Sequence, residues 1–142
     1  MKRGILTCFL LALCACSTLS AQTVGPQPDP GVTPIRLIQR PDVRVTRVEV
    51  EAGATRSIHT HDDVRFHLFI PITGKLLLTV GNQKPVEVAP GQAIYMEKNT
   101  PHGFKNVGTT KAAVMEVFMN ADAPAASDQH VIELVRAIGA AN

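Results

Sequence analysis

A chain of 142 residues fits one domain and is long enough to bury a core without cross-links. Its hydrophobic content of 45% excludes a disordered chain. The formal charge of +2 is the contribution of Lys2 and Arg3; from residue 22 onward basic and acidic residues balance at 12 each, so charge gives no ground for a nucleic-acid partner or an anionic membrane surface.

Residues 1–21, MKRGILTCFLLALCACSTLSA, combine a basic start, an apolar run from Ile5 to Ala15 and then small residues, the plan of a secretion signal. The run is too short for a permanent membrane span. Export to the periplasm or cell envelope is therefore expected, by one of two routes. Leu13-Cys14-Ala15-Cys16 resembles a lipoprotein processing site that would leave a lipid on Cys16, the one expected membrane contact; ordinary cleavage after Ala21 is the alternative. The only cysteines, Cys8, Cys14 and Cys16, all lie in this leader. The mature domain thus has neither a disulfide nor a thiolate nucleophile or ligand.

Residues 22–34, with four prolines and two glycines, read as an extended linker. From Ile35 short strands alternate with turn signals. Val43 and Val45, then Val48 and Val50, alternate with polar residues, but the phase slips at Thr46-Arg47 and predicts a bulge or break there. Further strands are expected from Lys75 to Val80, Val86 to Ala89, Gln92 to Glu97, Gly103 to Val107 and Lys111 to Met119, with turns at Gly81-Asn82 and Pro90-Gly91. On the strand through His67, inward parity falls on His67, Phe69 and Pro71. Phe66, Leu68, Ile70 and Ile72 then face outward and need a cover, from the tail or from a second subunit in a homodimer. Pro71 cannot donate to a sheet ladder, which places it at an edge or bulge. Residues 126–142 carry Val131, Leu134, Val135 and Ile138 at helical spacing behind a capping Ser127, and predict a C-terminal helix. The pattern is all-β, a sandwich or barrel over residues 35–125 followed by that helix.

Four of the chain's five histidines bracket this barrel: His59, His61 and His67 within nine residues, and His102 further on. His59 and His61 leave the same face of a predicted strand about 7 Å apart along it, close enough to converge on one ion. Neutral imidazole is the commonest metal ligand near pH 7. An HxH alone also describes two surface histidines on an edge strand. Here it belongs to a block with Gly53 and Gly74, and a second block runs Gly91, Glu97, Asn99, His102, Asn106.

The two blocks resemble the paired motifs of the cupin superfamily, G-x5-H-x-H-x3,4-E-x6-G and G-x5-P-x-G-x2-H-x3-N. The resemblance implies a small antiparallel β-barrel of jelly-roll type with one metal inside, held by His59, His61 and His102, with Gly53, Gly74 and Gly91 at turns and Asn106 stabilising a turn. Three departures follow. His67 stands where the family has its ligand glutamate, after a longer loop; Glu97 replaces the motif proline; Asn99 replaces a glycine. Either His67 completes an all-nitrogen site, or it packs beside it. Loss of the carboxylate disfavours magnesium, calcium and to some extent manganese, and suits one divalent iron, zinc, copper or nickel ion.

Glu116, in AVMEVFM, is the most conspicuous carboxylate. Buried, it would have a raised pKa and act as a catalytic base or orient a histidine; otherwise it is a strand residue in solvent. Ser57 shares the parity of the histidines and is a candidate pocket residue, Arg56 and Arg65 are expected in solvent, Glu97 at the rim, and His130 away from the site. No nucleophile elbow or phosphate-binding loop is present. Three readings stay open: a secreted metalloenzyme of dioxygenase-like or related redox or lyase type acting on a small organic molecule, a non-catalytic metal- or ligand-binding envelope protein, and a structural barrel.

Overall fold

The computed structural model describes residues 29–124 together with Gln129, Val131 and Glu133. The expected leader and most of the expected C-terminal helix lie outside the described residues; the three described tail residues have helical backbone. Nine strands follow in order: β1 Val32–Gln39, β2 Val43–Val50, β3 Thr55–His59, β4 Val64–Thr73, β5 Leu76–Val80, β6 Val86–Val88, β7 Ile94–Glu97, β8 His102–Asn106 and β9 Ala112–Asn120. They form two antiparallel sheets, β1-β2-β9-β4-β7 and β3-β8-β5-β6. The all-β architecture expected from the strand spacing, and the jelly roll that the resemblance implies, are observed.

Alternation sets what each strand buries. On β4, Val64, His67, Phe69 and Pro71 are buried while Phe66, Leu68, Ile70 and Ile72 are half-buried. The register between β4 and β9 shifts between Pro71 and Thr73, so the proline that cannot donate sits at a bulge. The inward side chains of both sheets, among them Val50, Phe69, Leu76, Leu78, Phe104 and Val114, make one core. On the outer face Phe66 and Leu68 pack with Met119, Ala123 and Val131, so the tail supplies at least part of the cover that this face needs.

Two expectations are corrected. β1 begins at Val32, inside the segment expected to be linker, and pairs with β2 from Val32↔Val50 onward. Pro34 is tolerated because β1 is an edge strand. β2 has no break at Thr46-Arg47: it pairs continuously with β9, and the irregularity lies on its other neighbour, between Arg36 and Ile38 of β1. Thr46, Val48 and Val50 are therefore the inward residues. Val43, which a bulge at Thr46-Arg47 would have put on their face, packs in the outer cluster instead.

Backbone exceptions fall where the motifs put them. Gly53, Gly74 and Gly91 have positive φ, and the one non-glycine residue with positive φ among those described is Asn99, at 59°. At Gly74 (φ +82) a Cβ would stand 2.5 Å from that of Ala112, so conformation and space both exclude a side chain. Gly103 is needed for close approach: a Cβ there would meet the Arg56 carbonyl oxygen at 2.7 Å, separating β8 from β3.

Candidate metal centre

β3 and β8 are paired so that His59 stands opposite His102, with ring centroids 4.4 Å apart. His61 is not on the strand with His59, as its spacing suggested, but two residues beyond the end of β3. Its position is fixed instead by the β7–β8 turn, where the N–H of Asn99, in its left-handed conformation, donates to the His61 carbonyl at 2.9 Å. His67 comes from the opposite sheet. Its ring lies 4.6 Å from His102 and 5.3 Å from His61, and His61 lies 5.0 Å from His59. All four histidines that the sequence singled out are brought together.

The ring nitrogens have defined roles. His59 Nδ1 lies 2.8 Å from the Ser57 carbonyl and His102 Nδ1 2.8 Å from the Thr100 carbonyl. A carbonyl only accepts, so each Nδ1 carries the proton and donates, leaving Nε2 with a free lone pair. Nε2 of His61, His67 and His102 are buried without a hydrogen-bond partner among the described residues. Burial is the largest cause lowering the pKa of each ring, aided for His61 and His67 by neighbouring histidines: His61 falls to about 4, His67 to about 3 and His102 to about 4. These rings are neutral at pH 7, the form that binds a cation.

Glu116 is buried, at 6% exposure, and its Oε1 has no hydrogen-bond partner. Desolvation pushes its pKa up to about 7, against the opposing pull of Arg56 and Arg44. The donor atoms fall into two sets, each within 4.8 Å: His59, His61 and His102, and His67, His102 and Glu116. Such orphaned, convergent donors fit a divalent cation, which would satisfy several at once.

Other expected residues lie elsewhere. Ser57 is exposed and donates to Asp29, 2.5 Å away, rather than lining the pocket. Arg56 is not simply solvated: it donates to the same carboxylate at 2.9 Å, tying the chain before β1 to β3. Arg65 donates to the Pro124 carbonyl, Glu97 is exposed, and His130 lies outside the described residues.

The residue that sequence reasoning missed is Arg44. Its guanidinium is 4.5 Å above the Phe118 ring and pairs with Asp63, while Phe118 packs 4.8 Å from His61 and 5.1 Å from His67. Counting parity backward from Val50 would have put Arg44 inside; the supposed break at Thr46 hid it.

The Cupin domain family model matches residues 46–118, more than half of the chain. No curated protein matches the sequence. Solved structures share the fold. KdgF from Halomonas sp. superposes with a TM-score of 0.59 at 19% identity, over 66% of this chain and 84% of that one. An RmlC-like cupin with a double-stranded β-helix fold from Methanocaldococcus jannaschii gives 0.57 at 18%, over 63% and 80%. A cupin domain from Bordetella pertussis gives 0.55 at 23%, over 67% and 99%.

Proposed function

The chain belongs to the cupin family, and on that premise we propose that the polar end of its barrel binds one divalent transition metal, iron, zinc, copper or nickel, as a reactive centre for a small organic molecule. His59, His61 and His102 hold the ion, with His67 as a further nitrogen donor. The observation that carries this reading is the set of three buried Nε2 atoms, on His61, His67 and His102, with no hydrogen-bond partner among the described residues. Burying polar atoms unpaired is costly, and a cation offsets that cost for all of them together. When bound, such an ion supplies a Lewis acid and, if redox-active, a centre for oxygen chemistry.

The buried Glu116 favours a reactive centre of dioxygenase-like, redox or lyase type over passive metal holding. A carboxyl whose pKa burial raises to about 7 can take up or release a proton beside the site, which metal holding alone does not require. The leader supports a place in the periplasm or cell envelope.

Metal content of the untagged protein, measured by mass spectrometry beside a His59→Ala/His102→Ala double variant, tests the reading. About one equivalent of a single transition metal, lost in the variant, is the expected result, since the two donor sets share His102. Mixed, substoichiometric metal in both proteins would overturn it.

A further inference from the structure

We propose that Glu116 is itself a metal ligand, a carboxylate delivered by β9 in place of the one that the first motif lacks. The inference rests on the metal-binding reading above and assigns a donor from outside both motifs.

The topology makes the exchange possible. β4, which carries His67 at the motif's glutamate position, lies beside β9 in the five-stranded sheet. Across that pair His67 faces Phe118 and Phe69 faces Glu116, so the carboxyl is one inward step further into the barrel than the imidazole. Ala112, Val114, Glu116 and Phe118 are all buried, which fixes the inward direction of Glu116 by parity. Its carboxylate comes within 4.8 Å of nitrogen donors of both His67 and His102. Its Oε1 and the Oγ1 of Thr46, the residue opposite it on β2, are buried and unpartnered, so the floor of the site is polar and unsatisfied.

The two donor sets share His102, and this decides how many ions the site takes. His102 Nδ1 is committed to the Thr100 carbonyl. Only Nε2 is left, and one lone pair serves one ion. A single ion on that lone pair can draw on both sets: His59 and His61 from one side, His67 and Glu116 from the five-stranded sheet, with His102 common to both. A carboxylate in that shell lowers the net charge of the centre. It brings manganese back among the ions that the site suits, against the expectation from the motif alone.

Cobalt(II) titration of the metal-free protein, read by its visible absorption, by affinity and by the rise in melting temperature, tests the assignment in wild type, Glu116→Gln and the His59→Ala/His102→Ala variant. Gln keeps the shape and removes the anionic donor. The expected result is one equivalent bound by wild type, a changed spectrum and at least about tenfold weaker binding for Glu116→Gln, and no loss of melting temperature in its metal-free form. Unchanged affinity and spectrum in Glu116→Gln, with the double variant inactive in binding, would overturn the role of Glu116 and leave the histidine site standing. No stoichiometric binding by wild type would overturn both. If Glu116→Gln does not fold, infrared difference spectra of the wild type decide: a coordinated-carboxylate band on adding metal supports the assignment, and no carboxyl change overturns it.

Discussion

Asn106 and Glu116 are both buried polar residues on strands of the same barrel, at opposite ends of its interior, and they are treated in opposite ways. Asn106 Nδ2 donates to the carbonyls of Val50, Glu51 and Thr110 at 2.9, 3.2 and 2.8 Å, and its Oδ1 accepts from the Gly108 N–H at 2.9 Å. Oε1 of Glu116 has no partner. Around Asn106 the neighbours are Val50, Leu76 and Ala112, all fully buried. Going the other way, β4 runs from Pro71 and Phe69 to His67, β8 from Phe104 to His102, and β9 from Val114 to Glu116. A satisfied buried polar group stabilises a fold; a group left unsatisfied costs stability and is kept for a ligand.

Asn106→Ala is the strongest way to break that contrast. It removes the side-chain donor from the carbonyls of Val50 and Thr110 and the acceptor from the Gly108 amide, in the turns that join β2 to β3 and β8 to β9, while the Glu51 carbonyl keeps the Ala54 N–H; the loss should be about 3 kcal/mol in chemical denaturation of the metal-free protein. A loss under about 1 kcal/mol would mean that water replaces the side chain and that Asn106 is no more structural than Glu116.

The pH dependence of the metal-free protein sharpens the comparison, because the polar end titrates and the apolar end does not. His61, His67 and His102 have folded pKa values of about 4, about 3 and about 4, below the ordinary 6.5. Their contribution to stability is present above pH 6.5 and is lost as pH falls toward those values, since the unfolded chain takes up protons that the folded one refuses. Glu116 acts with the other sign: its pKa is raised from 4.5 to about 7, so its contribution is present below pH 4.5 and lost as pH rises through 7. Three groups outweigh one, and stability should rise between pH 4.5 and 6.5. Glu116→Gln should then raise stability at pH 8 and leave it unchanged at pH 4.5. A lower stability of that variant at pH 8 would show that the carboxylate is compensated in the metal-free state.

Much of this molecule was legible in its sequence. Alternation placed the strands and the inward face of β4, because a half-buried strand repeats every two residues. The fixed motif spacings named the histidine cluster, and Asn99 stood where a left-handed residue was required. What failed was phase on β2. A run that is apolar on both faces, Val43 and Val45 outward and Val48 and Val50 inward, looks like a slip when both faces are covered. The partners of Asp29 were equally hidden, since Arg56 and Ser57 lie 27 and 28 residues away and nothing local marks the pairing. Burial of Glu116 could be suspected from its apolar flanks, but its neighbours across the barrel depend on register.

The smallest expected effect concerns the rim of the polar end. Asp63 is half exposed, at 54%, and holds Arg44, whose side chain is 14% exposed, over Phe118. An ion pair with one partner in water contributes at most about 1 kcal/mol, so Asp63→Asn should change stability little. The consequence should be felt by the metal instead. The Arg44 charge already disfavours protonation of His61 and His67, and Asp63 partly offsets the field at His61. Without Asp63 an uncompensated guanidinium faces a cation site, and divalent metal affinity should fall by a few-fold at low ionic strength, an effect on the order of 1 kcal/mol that salt screens. Titrations at low and high salt separate the causes. A loss that vanishes at high salt is electrostatic; a loss that persists means that Asp63 works through the position of Phe118 against His61 and His67.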